Sequence, residues 1–115
     1  MCLNCDFINS VFISAQKNPV PNYMPVLSLL DQIEKQGRIS LFAGDCLLNE
    51  THEHLMNELH YTVCHYFQCN TCKKYIFIGA CIRGTPIYEL RDDLENENID
   101  KRIWGKVGTY FMTKH

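Results

Sequence analysis

Two adjoining segments dense in aromatic and β-branched residues, 60–68 and 73–82, are the feature of this sequence that most constrains its fold. Segments of this composition form strands, and the short stretch Cys69–Cys72 between them suits a hairpin turn. Apolar residues occur on both faces of each segment, so we expect the hairpin in the middle of a sheet, with layers packed on either side. A two-residue loop at the turn would pair Val63 with Ile78.

Helical patterns precede this hairpin in the chain. Apolar residues in 6–16, and again in 26–33, recur at the spacing of one helical face. Asp6 is an acceptable N-cap for the first helix, Pro25 suits the first turn of the second, and Gly37 would end that helix as a left-handed cap. The sequence therefore predicts an α+β fold, an antiparallel sheet centred on the hairpin with N-terminal helices packed on it.

Shorter elements are expected around this framework. They are a strand at 38–43, a short helix starting at 49 or 51 and ending at 59, a strand at 87–90, a short helix at 98–104 and an extended segment at 107–112. A chain of 115 residues, 46% apolar and 21% charged, has the size and composition of one globular domain, 1–115.

Charge and hydropathy narrow the class of protein. A formal net charge of −2 argues against a nucleic-acid binder, which normally carries a basic face. The longest apolar run, Ile76–Ile82, is far shorter than the ~18 residues of a membrane span. Residues 1–16 lack the pattern of a secretory signal. The chain has seven cysteines, and because this number is odd, a full set of disulfides would leave one cysteine unpaired. We therefore expect reduced thiols and a cytoplasmic protein.

Two Cys-x-x-Cys pairs are the clearest chemical motif. Cys69 and Cys72 lie at the tip of the predicted hairpin, where a pair of thiolates is typical of one half of a structural zinc site. Cys2 and Cys5 would complete a four-thiolate site if the N-terminus folded back onto that tip. The alternative interpretation is that Cys69 and Cys72 are small, partly buried thiols paired across the strands.

Other side chains could also bind a metal. The two Cys-x-x-Cys pairs lie far apart in the sequence, so one pair could instead be completed by other ligands. These are Cys46, Cys64, Cys81, His52, His54, His60 and His65. The sequence contains no phosphate-binding loop, nucleophile elbow or dinucleotide fingerprint. We therefore expect no enzyme; thiol catalysis is the remaining enzymatic alternative, and it would need a cysteine, a base and an orienting group brought together from separate elements.

Acidic side chains cluster in two places that could meet a basic partner. One group lies near the predicted short helix and the other follows the strand at 87–90, close to an Arg-Gly-Thr-Pro turn. The predicted partner-binding residues are Glu50, Glu53, Arg83, Tyr88, Asp92, Asp93, Glu95 and Glu97.

The strings HYFQCNTCKKYIFIGACIRGTPIYEL and KRIWGKVGTYF, within residues 60–111, resemble the small immunity proteins encoded beside polymorphic toxins in contact-dependent, Rhs and type VI secretion systems. The resemblance implies a non-enzymatic cytosolic protein that binds one cognate toxin domain, often a nuclease, and blocks its active site or substrate path. The acidic residues would suit a basic nuclease face. The alternative function is a small structural zinc-binding module, and one chain can be both.

Overall fold

The computed structural model places helices and strands along most of the chain. It describes residues 2–17, 23–57, 62–81, 86–95 and 98–112. The helices are α1 (Leu3–Gln16), α2 (Met24–Lys35), α3 (Thr51–Met56), α4 (Ile99–Arg102) and α5 (Thr109–Met112), with a 3-10 turn at Leu48–Glu50 before α3. The strands are β1 (Ile39–Gly44), β2 (Thr62–Cys69), β3 (Tyr75–Cys81) and β4 (Ile87–Arg91).

The four strands form one antiparallel sheet in the order β1-β2-β3-β4. The predicted hairpin, β2 and β3, therefore lies at the centre of the sheet, and the predicted α+β fold with N-terminal helices packed on the sheet is confirmed. The central position explains why both faces of the hairpin are apolar, since each is covered by another layer. None of the described helices is long and apolar enough to cross a membrane.

The strand register differs from the prediction by two residues. Val63 lies opposite Ala80 and not opposite Ile78. The cause is the turn: the Cys69 N–H donates to the Lys74 carbonyl at 2.8 Å, so four residues and not two form the loop. Because side chains alternate with a period of two, a shift of two residues keeps every side chain on its predicted face.

Each face of the hairpin has its own cover. On one face, Phe67, Ile76 and Ile78 pack against the apolar sides of α1 and α2. On the other face, Tyr66 and Phe77 pack against the C-terminal segment that carries α4. The sheet is thus the middle of three layers, and its central strands are buried on both sides.

Two predictions, one about the start of a helix and one about an extended segment, are wrong. The first helix begins three residues before Asp6, with Cys2 as its N-cap residue. The segment 107–112 is not a strand: Val107 forms a single bridge with Gly44, and the chain then turns into α5. Gly108 permits this turn, because its φ is +119° and a Cβ there would lie 2.5 Å from the Phe42 carbonyl oxygen.

A buried carboxylate ties the C-terminal layer to the sheet. Asp45, at the end of β1, is 3% exposed and accepts hydrogen bonds from the N–H groups of Cys64 and Trp104, each at 2.7 Å. Gly105 passes so close to the Asp45 backbone that an added Cβ would overlap it. This contact explains how a short C-terminal segment with little regular structure stays fixed over the sheet.

The imidazole of His65 is fully buried on the central strand β2. Its Nε2–H donates to the Cys46 carbonyl at 2.9 Å, and Nδ1 has no hydrogen-bond partner among the described residues. Burial disfavours the charged imidazole and lowers the pKa of His65 to about 4, although the Cys46 carbonyl acts in the opposite direction.

We predict that His65 makes the protein less stable in acid. The unfolded chain takes up a proton near pH 6.5 and the folded chain only near pH 4, so the free energy of unfolding falls across this window by about 3 kcal/mol in total. Urea unfolding of the wild type and of His65→Gln, which can still donate to Cys46, measures the effect. Parallel pH profiles for the two proteins would contradict it.

Candidate metal centre

The four cysteines of the two Cys-x-x-Cys pairs meet at one point on the surface of the fold. The sulfur atoms of Cys2, Cys5, Cys69 and Cys72 all lie within 4.8 Å of one another. Cys2 Sγ is 3.7 Å from Cys69 Sγ, and Cys5 Sγ is 3.3 Å from Cys72 Sγ. Cys5 and Cys69 are buried, whereas Cys2 and Cys72 are half-buried.

The hairpin turn presents one pair. Cys69 ends β2, and Cys72 lies within the turn that precedes β3. The turn closes at Lys73, whose φ of +67° places it in the left-handed region, and the Lys73 N–H donates to the Cys69 carbonyl at 3.0 Å. A turn of this kind bends the chain back sharply, which brings Cys72 to the same side as Cys69.

The turn is itself held from outside by Asn70. Its backbone N–H donates to the Arg38 carbonyl at 2.9 Å, and its side-chain amide donates to the Gly37 carbonyl at 2.8 Å. Ser40 donates to the Asn70 side-chain oxygen at 3.0 Å. These three contacts attach the hairpin tip to the α2–β1 connection, so the cysteine pair sits on a braced turn and not on a free loop.

The first turn of α1 presents the other pair. Cys2 is the N-cap, and its sulfur accepts a hydrogen bond from the Cys5 N–H at 3.4 Å. Further along α1, Ile8 and Phe12 are buried in the core, and Phe12 stacks on Tyr88 of β4 at 5.1 Å between ring centroids. This packing fixes the direction of α1 and brings its N-terminus to the hairpin tip. The two pairs therefore meet across 67 residues of chain.

Hydrogen bonding and burial shift the pKa values of Cys5, Cys69 and Cys72 in different directions. Burial alone would raise the pKa of Cys69, but hydrogen bonds from the Cys72 backbone N–H and from Asn4 outweigh it and lower the pKa to about 6. The pKa of Cys72 is also lowered, because the Lys74 backbone N–H outweighs the effect of burial. Burial and the neighbouring thiols raise the pKa of Cys5. The hairpin therefore favours the thiolate forms of Cys69 and Cys72.

A cation lies beside the cluster. The Lys74 ammonium forms an ion pair with Asp92 at 3.0 Å, and Asp92 is the main reason why the pKa of Lys74 is raised. Thiolates at Cys72 and Cys5 would raise the pKa of Lys74 further, because the ammonium lies within electrostatic reach of both sulfurs. A positive charge there offsets part of the negative charge that several thiolates would concentrate.

The dimensions of the cluster fit a single metal ion. A tetrahedral ion about 2.3 Å from each sulfur holds the sulfurs about 3.8 Å apart. The separations of 3.3 and 3.7 Å, with every other pair inside 4.8 Å, are close to that spacing. Four thiolates in this arrangement are the ligand set of zinc or iron. The four cysteines could therefore hold a metal ion.

Of the other predicted metal donors, Cys46, Cys64, His52, His54 and His65 do not join this cluster, whereas His60 and the side chain of Cys81 lie outside the described part of the chain. Cys46 is buried near Thr51, and burial raises its pKa to about 11. Cys64 lies on the opposite face of the sheet, with Tyr66 and Phe77. Among the described residues, the four cysteines form the one group of three or more potential metal ligands that lie together.

The predicted partner-binding residues are not brought together. Glu50 and Glu53 are exposed near α3, which packs at the end of the sheet that carries Val63 and Ala80. Asp92, Asp93 and Glu95 are exposed just after β4, whose last residue pairs with Tyr75 near the hairpin tip. The two acidic groups therefore lie at opposite ends of the central strands.

Three other predicted partner residues have different outcomes. Tyr88 is only 6% exposed and stacks on Phe12, so its ring belongs to the core and a surface role for it is wrong. Arg83 and Glu97 lie outside the described residues. Glu50 has a local task, because its carboxylate accepts a hydrogen bond from the Leu47 N–H at 3.0 Å and caps the turn before α3.

Sequence reasoning missed Asn4, which lies inside the first Cys-x-x-Cys pair. Its side-chain amide donates to Cys69 Sγ and to the Arg38 carbonyl, both at 3.4 Å. It therefore connects α1 to both the hairpin and the α2–β1 connection at the cluster. The sequence signal for this role is an asparagine between two candidate cysteine ligands, because hydrogen-bond donors around a thiolate stabilise it.

Comparisons with known protein families, with curated proteins and with solved structures find no match to this chain.

We predict that Asn4→Ala lowers the metal affinity of the cluster about tenfold, because one N–H···S hydrogen bond is lost while all four ligands remain. Titration with Co²⁺, followed by its thiolate charge-transfer absorption and competed with a chelator, measures the affinity. Asn49→Ala, an exposed substitution away from the cluster, is the matched control. Equal affinities for the two variants would show that the hydrogen bond has no such role.

Proposed function

We propose that this protein is a small zinc-binding module without enzymatic activity, in which one Zn²⁺ joins the start of α1 to the tip of the β2–β3 hairpin. The ligands are Cys2, Cys5, Cys69 and Cys72. The observation that carries the proposal is the convergence of four sulfurs, from two distant parts of the chain, at the spacing of a single tetrahedral ion.

Zinc fits this cluster better than a polynuclear iron–sulfur cluster or four thiolates without an ion. An iron–sulfur cluster places inorganic sulfide and several irons between its cysteines, which would hold the sulfurs further apart than 3.3 and 3.7 Å. Four thiolates without any ion would repel one another at these separations. Zn²⁺ would place two positive charges at the centre of the cluster. Its filled d shell imposes no coordination geometry, so it accepts the arrangement that the four sulfurs offer.

The same ligand set argues for a structural role. A catalytic zinc keeps one position open for water or substrate, whereas here four protein sulfurs fill all four positions of a tetrahedron. Each half of the cluster belongs to a different structural unit, the helical layer and the sheet. Bound zinc would therefore stabilise the packing of α1 on the sheet, because ligands brought together by folding release their binding free energy as folding free energy.

We predict that the purified protein contains about one zinc ion per chain, and that removing it with a chelator lowers the midpoint of thermal unfolding by more than about 10 °C. Cys69→Ser removes a ligand from the braced turn, and we expect it to lose most of the zinc and to unfold at a similarly reduced temperature. Elemental analysis and circular dichroism measure both quantities.

Cys64→Ser is the matched control, since this half-buried thiol also lies on β2 but away from the cluster. It should keep the full zinc content. Chains purified in the presence of zinc that carry no metal, or a Cys69→Ser variant with unchanged zinc content, would contradict the proposal.

A second function, the binding of a toxin domain as an immunity protein, is favoured by one specific observation. Asp92, Asp93 and Glu95 are all exposed and follow one another after β4, beside the hairpin tip that the metal would hold rigid. A rigid acidic surface attracts and orients a basic partner such as a nuclease. Zinc and toxin binding are compatible, since the metal would shape the surface that the toxin meets.

We predict that the protein forms a stable complex with the toxin encoded by the adjacent gene, and that Asp93→Asn together with Glu95→Gln slows association at least severalfold at low salt. Co-purification and stopped-flow association measure these effects. The control is Glu53→Gln on α3, at the far end of the sheet. Failure of the two proteins to co-elute would count against the immunity role and leave the zinc proposal untouched.

A further inference from the structure

We propose that the tetrathiolate cluster is also a site of reversible oxidation, at which a hydroperoxide converts the four ligands into two specific disulfides, Cys2–Cys69 and Cys5–Cys72, and releases the metal. The inference rests on the proposed zinc function and concerns the regulation of that same site. It is carried by how the four sulfurs are paired in space and by which of them face solvent.

Two sulfur–sulfur contacts shorter than 4 Å run between the two structural units. Cys5 Sγ lies 3.3 Å from Cys72 Sγ, and Cys2 Sγ lies 3.7 Å from Cys69 Sγ. Each contact joins α1 to the hairpin across 67 residues. A disulfide in either place needs the two sulfurs to approach by less than 2 Å.

Each of these two contacts combines an accessible sulfur with a protected one. Cys72 is half-buried and its neighbour Cys5 is buried, and Cys2 is half-buried while its neighbour Cys69 is buried. A hydroperoxide from solvent therefore meets Cys72 or Cys2 first. In both cases the buried partner is already in place to react with the oxidised sulfur, which is the arrangement of an attacked and a resolving thiol.

The chemistry balances with hydrogen peroxide as the oxidant. The Cys72 thiolate attacks one peroxide oxygen, the O–O bond breaks, and a sulfenic acid forms with loss of hydroxide. The Cys5 thiolate then attacks the sulfenic sulfur, the S–S bond forms, and a second hydroxide leaves. Two protons turn the hydroxides into water. The same sequence at Cys2 and Cys69 uses a second peroxide, and Zn²⁺ departs because a disulfide sulfur is a poor ligand.

The two disulfides would replace the link that the metal makes. Each connects the first turn of α1 to the hairpin tip, as the metal does. The oxidised, zinc-free chain should therefore stay folded, whereas a reduced, zinc-free chain loses the link altogether. Reduction of the disulfides would restore the four ligands. The surface beside the hairpin tip, including Asp92 on its Lys74 partner, would then respond to oxidation without general unfolding.

The test treats the zinc-loaded full chain with hydrogen peroxide, follows the released metal with a chromogenic chelator, and maps disulfides after trypsin digestion without reduction. Trypsin leaves Cys2 and Cys5 on the peptide 1–17, and Cys69 and Cys72 on the peptide 39–73. Disulfides between α1 and the hairpin join these two peptides, whereas disulfides within each Cys-x-x-Cys pair leave them separate. Tandem fragmentation of the joined peptides assigns the partners.

We expect one zinc ion released for each pair of disulfides, joined peptides with the partners named above, and full recovery of zinc binding after reduction. The oxidised protein should keep its thermal midpoint within a few degrees of the zinc-loaded one. Cys64→Ser, which removes one of the thiols outside the cluster, should behave as the wild type. Disulfides within the Cys-x-x-Cys pairs, the alternative pairing of Cys2 with Cys72, or oxidation to sulfinic acid would each overturn the inference.

Failure of this inference is distinguishable from failure of the zinc proposal. If the protein holds no zinc, the reduced chain can still be treated with peroxide, and joined peptides with the expected partners would support the oxidation site by itself. If zinc is bound but peroxide leaves it in place under conditions that oxidise free cysteine, the zinc function stands and the oxidation site is overturned.

Discussion

The contact between the first turn of α1 and the tip of the β2–β3 hairpin is the interaction on which the other features of this structure depend. It brings together the two halves of the cysteine cluster and, through Asn4 and Asn70, the connection between α2 and β1. The helical layer, the sheet and the hairpin tip all meet there. A metal at this point would join two distant parts of the chain with four bonds, and hydrogen bonds from Asn4 and Asn70 would extend that link to the α2–β1 connection.

The electrostatics of the cluster follow from the backbone that surrounds it. Four thiolates and one Zn²⁺ would leave two negative charges at a partly buried site, and such charges need donors nearby. The structure supplies them from the Cys5 N–H, the turn N–H groups around Cys72, and the Asn4 amide. The helix N-terminus and the Lys74 ammonium act in the same direction. Hydrogen-bond donors from both α1 and the hairpin therefore stabilise the sulfur atoms of the cluster.

Much of the fold was predictable because strand and helix periodicity are local properties. The composition of 60–68 and 73–82 was enough to place a buried hairpin at the centre of a sheet, and Pro25 and Gly37 marked the limits of α2. The register was missed because a turn containing Cys69–Cys72 adopts a left-handed residue at Lys73, and nothing in the residue types announces this. Tyr88 was misplaced for a related reason, since which face of an edge strand is covered depends on a helix elsewhere in the chain.

The sequence by itself determined two Cys-x-x-Cys pairs as candidate metal ligands and the hairpin that carries one of them, because Cys-x-x-Cys spacing and β-branched runs act within a few residues. Only the tertiary structure decided that Cys2 and Cys5 reach that hairpin, across 67 residues, and that Asn4 lies between the two pairs. The path of α1 over the sheet is set by the burial of Ile8 and Phe12 against distant strands. Such packing is a property of the whole core and cannot be read from any single stretch of chain.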